Sequence, residues 1–210
     1  MRMQGELMQI TIPLPQCQDA VRFPAGVLNW GEEEFFDFCR ANRDLRIERS
    51  PNGEIIVMPP AGGYAGFQSG KVFSQLEVWA SKDRIGIAFD SSTGFRLPNG
   101  ATRSPDASWV QRARLEKLSH REKERFVPLC PDFLIEVASP SDDVSSLREK
   151  MMEYVGCGLR LGWLILPAST QVEVFTPAGV ETLDSPTMIS AEPVLPGFKL
   201  ELASIWNPPF

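Results

Sequence analysis

The chain has 210 residues and a formal net charge of −6, with 43% hydrophobic and 23% charged residues. That length suits one domain with a substantial core, and the composition is that of an ordinary globular protein. The acidic balance argues against long duplexes gripped by general electrostatics, which needs many Lys and Arg, and no run reaches the roughly 18–20 apolar residues of a membrane helix.

Met1–Ile10 has no continuous apolar core of secretory type, so a cytoplasmic location is expected. Met8–Leu14 alternates weakly and is broken by Pro13 and Pro15, an edge strand at most. Asn29 or Gly31 can start a helix. Its first turn carries Glu32, Glu33 and Glu34, at the end that favours negative charge, and its apolar stripe is Phe35, Phe38 and Cys39. Leu45–Glu48 and Glu54–Met58 read as two strands, with Asn52-Gly53 closing the hairpin through positive φ.

A helix follows from about Tyr64 to Ala80, with Phe67, Val72, Leu76 and Trp79 among its apolar positions. Gly66 and Gly70 lower its propensity but would allow close packing on a sheet. Ile85–Phe89 and Gly94–Leu97 read as another strand pair, and Pro98-Asn99-Gly100 as a turn. Next come a strand after Asp106, a charged segment, and a strand from Pro131 to Val137. Phe133-Leu134-Ile135 shows no polar alternation, as a central strand covered on both faces should. Between Arg103 and Arg125 seven basic residues face four acidic ones, the pattern of a solvated, charge-laced surface.

Ser139-Pro140-Ser141-Asp142-Asp143 supplies helix-starting residues for a helix that runs to about Val155 and ends at Gly156 or Gly158. Leu161–Leu166 and Val172–Phe175 form a hairpin across residues 167–170. The tail from Glu192 reads as Pro-rich and irregular, with Leu200, Leu202 and Trp206 docking on the body. Helices alternating with strands predict an α/β fold, a mixed sheet flanked by helices.

Chemistry concentrates in a few places. None of Cys17, Cys39, Cys130 and Cys157 has CxxC spacing and His120 has no partner motif, so reduced thiols are expected rather than a zinc site. Ala61-Gly62-Gly63 lacks the Lys and Ser/Thr of a phosphate-binding loop. The serines of 139–141 lack a base, since the only histidine lies in the charged run.

Three residues remain. Lys150 lies three after Leu147 and four before Tyr154, in an apolar stripe or at its border, so it either meets a negative partner or snorkels at the edge. Glu136 ends an apolar strand, either buried against a partner or facing solvent. Asp106 follows a proline and precedes a strand, where turn chemistry is the plain alternative. Two carboxylates on neighbouring strands with an ammonium nearby can bind a hard divalent cation and hold a water against a phosphodiester. Asp132 is read as turn structure.

The chain resembles the Uma-two family of the PD-(D/E)XK restriction-endonuclease-like superfamily. The likeness is carried by residues 52–60 (NGEIIVMPP), 104–106 (SPD), 131–141 (PDFLIEVASPS), Lys150 through Tyr154 to Gly156, and 162–167 (GWLILP), and it spans about 30–180. It implies a restriction-endonuclease-like core over 30–180, an N-terminal extension over 1–29 and a tail over 181–210 packed on the same domain. It implies a Mg²⁺ (or Mn²⁺) site held by Asp106 and Glu136, with Lys150 as the third catalytic residue and DNA as substrate; the oligomeric state stays open, a homodimer being one possible assembly because nucleases that cut both strands often pair. The superfamily lysine usually lies two residues after the second acid; that position is Ala138 here, and Lys150 from the following helix takes its place. Glu48 and Tyr154 are possible additional site residues. Many members carry a histidine near Tyr64, and this chain has none there. The alternative is a non-catalytic descendant of the same fold, acting as a binding or assembly module.

Overall fold

The computed structural model of the protein describes residues 20–28 and 30–210. Asn29, Cys17 and the possible strand over Met8–Leu14 lie outside them. In chain order the elements are β1 (Val21–Phe23), α1 (Glu32–Ala41), β2 (Arg46–Arg49), β3 (Ile55–Met58), α2 (Gly63–Asp83), β4 (Gly86–Asp90), β5 (Phe95–Arg96), β6 (Thr102–Arg103) and β7 (Ala107–Gln111). Then come α3 (Arg112–Leu115), α4 (His120–Lys123), β8 (Phe133–Val137), α5 (Val144–Gly156), β9 (Leu161–Leu166), β10 (Gln171–Thr176), β11 (Gly179–Asp184), β12 (Met188–Ser190), β13 (Lys199–Glu201) and α6 (Ala203–Trp206).

Six strands form the main sheet in the order β11-β10-β9-β8-β7-β4. Only β8 and β9 run parallel in it. This mixed sheet follows from chain length between strands: β8 and β9 are joined through helix α5, long enough for a crossover, whereas β9, β10 and β11 are joined by short turns that force antiparallel pairing. A five-stranded antiparallel sheet, β1-β3-β2-β6-β5, lies beside it, and β12 pairs with β13.

Side-chain alternation on β8 divides the core. Phe133, Ile135 and Val137 join Val72, Leu76 and Ala80 of α2, a stripe with four-residue spacing. Leu134 and Ala138 join Met151 and Tyr154 of α5 on the other face. Glu136 shares the α5 face by the same period of two. Helix α5 reaches the sheet closely because Gly162 has no side chain: a Cβ there would come within 2.6 Å of Met151 Cε.

The β2–β3 hairpin closes at Asn52-Gly53 as expected, with Gly53 N–H donating to the Ser50 carbonyl (3.0 Å) and Gly53 at a positive φ of 90°. Several other expectations need correction. Strands β4 and β5 do not pair with each other; β4 pairs with β7 in the main sheet and β5 with β6 in the second. Gly66 and Gly70 are exposed, and a Cβ on either meets nothing within 4 Å, so they serve no close packing. The tail is not irregular. It forms β13 and α6, and Leu195, Phe198, Leu200, Leu202 and Ile205 enter the α2-side core. Strand β11, whose residues are mostly exposed, escaped sequence reading because exposure removes the apolar alternation. Cys39, Cys130 and Cys157 are free thiols, and burial pushes Cys39 and Cys130 up to about 12. Among the described residues no helix is long and apolar enough to cross a membrane.

Candidate active site

Four segments meet at the C-terminal end of β8. On β2, residues two apart share a face. Arg46 and Glu48 turn inward toward α5, while Ile47 packs in a satellite core with Phe35 and Ile55 and Arg49 lies over the Phe35 ring. The turn from β6 to β7 brings Ser104 and Asp106. The ladder between β7 and β8 ends at Ala107 opposite Ile135, so one step further Asp106 stands opposite Glu136. Helix α5, capped by Asp143 accepting from Ser145 and Ser146 N–H, supplies Lys150, Glu153 and Tyr154. Their spacing of three and four puts them on one face.

The contacts are direct. Lys150 Nζ lies 2.9 Å from Glu48 Oε1 and 2.8 Å from Glu136 Oε1. Tyr154 O–H donates to the same Glu136 oxygen at 3.1 Å. Glu48 also accepts from Ser104 N–H (3.0 Å) and Arg103 Nη1 (3.2 Å). Arg103 continues to Glu153 Oε2 at 2.7 Å, and Glu153 Oε1 accepts from Asn99. Asp106 Oδ2 accepts the Val137 N–H at 2.8 Å, and Oδ1 accepts from Arg46 Nη1 at 3.1 Å and from Ser69 of α2 at 3.5 Å. Arg46 Nη2 donates to the Ser104 carbonyl. Of the expected set, Lys150, Glu136, Glu48 and Tyr154 are in one contact network, and Asp106 stands beside it through Arg46 and the β8 backbone. Asp132 lies at the opposite end of β8.

Electrostatics follow from that crowding. Glu48, Asp106, Glu136 and Glu153 are buried or nearly so and face three cations: Arg46, Arg103 and Lys150. Burial opposes ionisation of Glu48, but Lys150, Arg103 and Arg46 more than offset it and hold this carboxyl at about 2. At Glu136 burial wins. Lys150 pulls it down, Asp106 and Glu48 repel it, and its pKa ends above the ordinary carboxylate range. Lys150 is held above the usual lysine value: burial lowers it, and Glu136 and Glu48 more than reverse that. The Tyr154 phenol is pushed well up by burial and by the same two carboxylates.

A hard divalent cation asks for several oxygen donors with negative charge to spare. The donors fit in kind: three carboxylates converge, and among the described residues Glu136 Oε2 accepts no hydrogen bond. They do not already stand as a coordination sphere. Among the described residues no group of three metal-ligating side chains is arranged to hold an ion. The Lys150 ammonium lies between Glu48 and Glu136, and a guanidinium lies on Asp106.

Sequence reasoning missed Arg46, Arg103, Glu153 and Ser69. Arg46 was within reach of it, being two before Glu48 on a strand, and so was Glu153, three after Lys150 on a helix. Arg103 and Ser69 join the site only through long-range packing, for which the sequence carries no local sign.

The α/β core is a mixed sheet flanked by helices, and at the end of its central strand buried carboxylates meet a helix-borne lysine. The profile of the Uma2 family, described as "Putative restriction endonuclease", matches residues 32–203, and the chain belongs to that family. A solved structure from Anabaena variabilis ATCC 29413, described as a "putative nuclease belonging to DUF820", is similar in fold. Its TM-score is 0.64 at 21% identity, covering 76% of this chain and 89% of that one. None of the curated proteins compared matches the chain.

Proposed function

We propose that the protein is a divalent-metal-dependent nuclease that hydrolyses phosphodiester bonds in DNA. The observation that carries this reading is Lys150 Nζ within 3 Å of both Glu48 and Glu136, with Asp106 at the facing position of the neighbouring strand. A fold does not need two such acids side by side in its interior, because burying like charges together costs stability.

Asp106 and Glu136 would hold Mg²⁺ or Mn²⁺, with Glu48 as the further available carboxylate. When bound, such a cation polarises the phosphoryl oxygen and lowers the pKa of a water. Lys150 donates to the attacking water or to the charge that develops on the phosphorane oxygens. Tyr154, un-ionised, donates its O–H to Glu136 Oε1 and so fixes the carboxylate plane, leaving Oε2 as the free metal-ligand atom. Arg103 and Ser104 fix Glu48, and the Val137 N–H fixes Asp106. The reading carries with it a cytoplasmic protein, and a homodimer where both strands of a duplex are cut.

Metal-titrated cleavage of plasmid and single-stranded DNA tests it. Cleavage is expected only with Mg²⁺ or Mn²⁺, and Glu136→Ala and Lys150→Ala are each expected to lower it about 10²–10³-fold. Cleavage that persists unchanged in both variants would remove the site assignment. One observation favours the rival reading of a non-catalytic binding module: each of the three carboxylates already has a cation of the protein against it. Under that reading the wild type binds DNA or a partner without cutting, at any metal concentration.

A further inference from the structure

We propose that Arg46 is the phosphate-gripping residue of this site, and that it is held in reserve on Asp106 until a divalent cation takes that carboxylate. The inference rests on the function proposed above and adds the residue that meets the substrate.

Three observations single out Arg46. The first is access. Its side chain is 32% exposed, against 13% for Lys150 and 9% for Arg103, so of the three cations in the cluster it alone opens appreciably to solvent. A phosphodiester arriving from outside meets this guanidinium first. The second is incomplete use of its donors. A guanidinium has five N–H donors. Arg46 spends Nη1 on Asp106 and Nη2 on the Ser104 carbonyl, while Nε is enclosed with no acceptor among the described residues. A buried unpaired donor is costly, so the pose on Asp106 is not one the side chain is locked into by its bonds. The third is charge competition. Arg46 Nη1 lies 3.1 Å from Asp106 Oδ1, and Asp106 is one of the candidate metal donors, so a bound divalent cation and Arg46 are competitors for that carboxylate.

The consequence is an exchange that keeps charge balanced. With the carboxylates engaged elsewhere, the guanidinium loses its internal partner and turns its fork to the nearest anion, the non-bridging oxygens of the substrate. Arg geometry suits this because the planar fork pairs two oxygens at once, which lysine cannot do. Its position on β2, two residues before Glu48, keeps the base of the side chain fixed while the end swings.

The test uses the full chain and two variants, Arg46→Gln and Arg46→Lys. Mn²⁺ binding is measured by calorimetry without DNA, and cleavage of a DNA substrate is measured at saturating Mn²⁺. Arg46→Gln removes the competing charge, so Mn²⁺ is expected to bind about tenfold tighter. Its kcat/KM is expected to fall about 10–100-fold, with most of the change in KM. Arg46→Lys keeps the charge and loses the fork, so its Mn²⁺ affinity stays near wild type while kcat/KM still falls. Unchanged or weaker Mn²⁺ binding in Arg46→Gln overturns the exchange. An unchanged KM in both variants overturns the phosphate contact. If the wild type cuts no DNA yet Arg46→Gln binds Mn²⁺ more tightly, the nuclease reading fails and the competition between Arg46 and a cation stands. A thermal melt of Arg46→Lys guards against loss of fold.

Discussion

A buried acid stands at each end of strand β8, Asp132 just before its first residue and Glu136 one before its last, and the two ends solve the same problem differently. Asp132, at the start, accepts from the Gln111 N–H at 2.9 Å, pairs with Arg114 at 2.9 Å and lies 3.9 Å from Arg160. Its cations are partly exposed, and among the described residues no second carboxylate joins the group. Glu136, near the other end, shares one ammonium with Glu48 and stands opposite Asp106 one step beyond the end of the ladder. One end is a paired acid that ties β7, β8 and the entry to β9 together. The other crowds acids beyond the cations available. A lone buried carboxylate with arginines is what a fold can use, whereas carboxylates crowded around shared cations, with Glu136 pushed above its ordinary pKa, are the kind of grouping that recurs at functional sites.

Lys150→Met should have the largest effect. It strips Glu48 and Glu136 of the ammonium they share and leaves buried charge behind, which costs about 3–5 kcal/mol at neutral pH. Urea unfolding at pH 7 measures it, and a loss below about 1 kcal/mol would mean that solvent reaches this cluster far more freely than its burial implies. Glu136→Gln comes next, with the opposite signature. Activity is expected to fall about 10²–10³-fold, while stability at pH 7 holds or rises because a repelled carboxylate has been neutralised. A drop in stability as large as that of Lys150→Met would make Glu136 a structural partner and erase the contrast with Asp132.

How far these differences could be read beforehand depends on whether the cause is local. The apolar run Phe133-Leu134-Ile135, the Glu32–Glu34 first turn and the Asp143 cap are local physics, and the central strand and both helices were legible from them. The convergence of Lys150 with Glu136 was legible in part, since one helix and one strand adjacent in sequence carry them. Which sheet β4 and β5 join was not, because two short strands separated by a turn look like a hairpin whatever sheets they enter. The role of Glu48 was visible only as a possibility. Its weight comes from Arg103 and Ser104, more than fifty residues away in sequence, which only the packing of the two sheets brings to it.

The pH dependence separates the two acids inside the site. The Glu48 carboxyl lies at about 2 in the folded chain against 4.5 unfolded. Its depressed pKa contributes stability that is present above 4.5 and disappears as pH falls toward 2, an effect of about 3 kcal/mol by the usual conversion. Glu136 has the reverse sign. Its raised pKa means that above 4.5 the unfolded chain releases a proton the folded chain still holds, so stability declines with rising pH until the folded group also ionises. Unfolding curves from pH 2 to 8 should therefore lose their acid-side slope in Glu48→Gln and their decline above 4.5 in Glu136→Gln. Identical curves for the two variants would show that the cluster titrates as one unit.

Asp132→Asn should produce the smallest change, about 1–3 kcal/mol of stability, with cleavage intact. Asparagine keeps an oxygen for the Gln111 N–H but gives up the charge that Arg114 and Arg160 face. Those arginines are a third and a half exposed, so water takes over their solvation and the loss stays modest. The variant also probes the strand as a lever. If loosening its entry by this much lowered cleavage as severely as Glu136→Gln, the geometry at Glu136 would depend on Asp132, and the two ends of β8 would have to be treated as one device. With activity unchanged, the entry to the strand is scaffold alone, and the chemistry is confined to the end where the carboxylates converge.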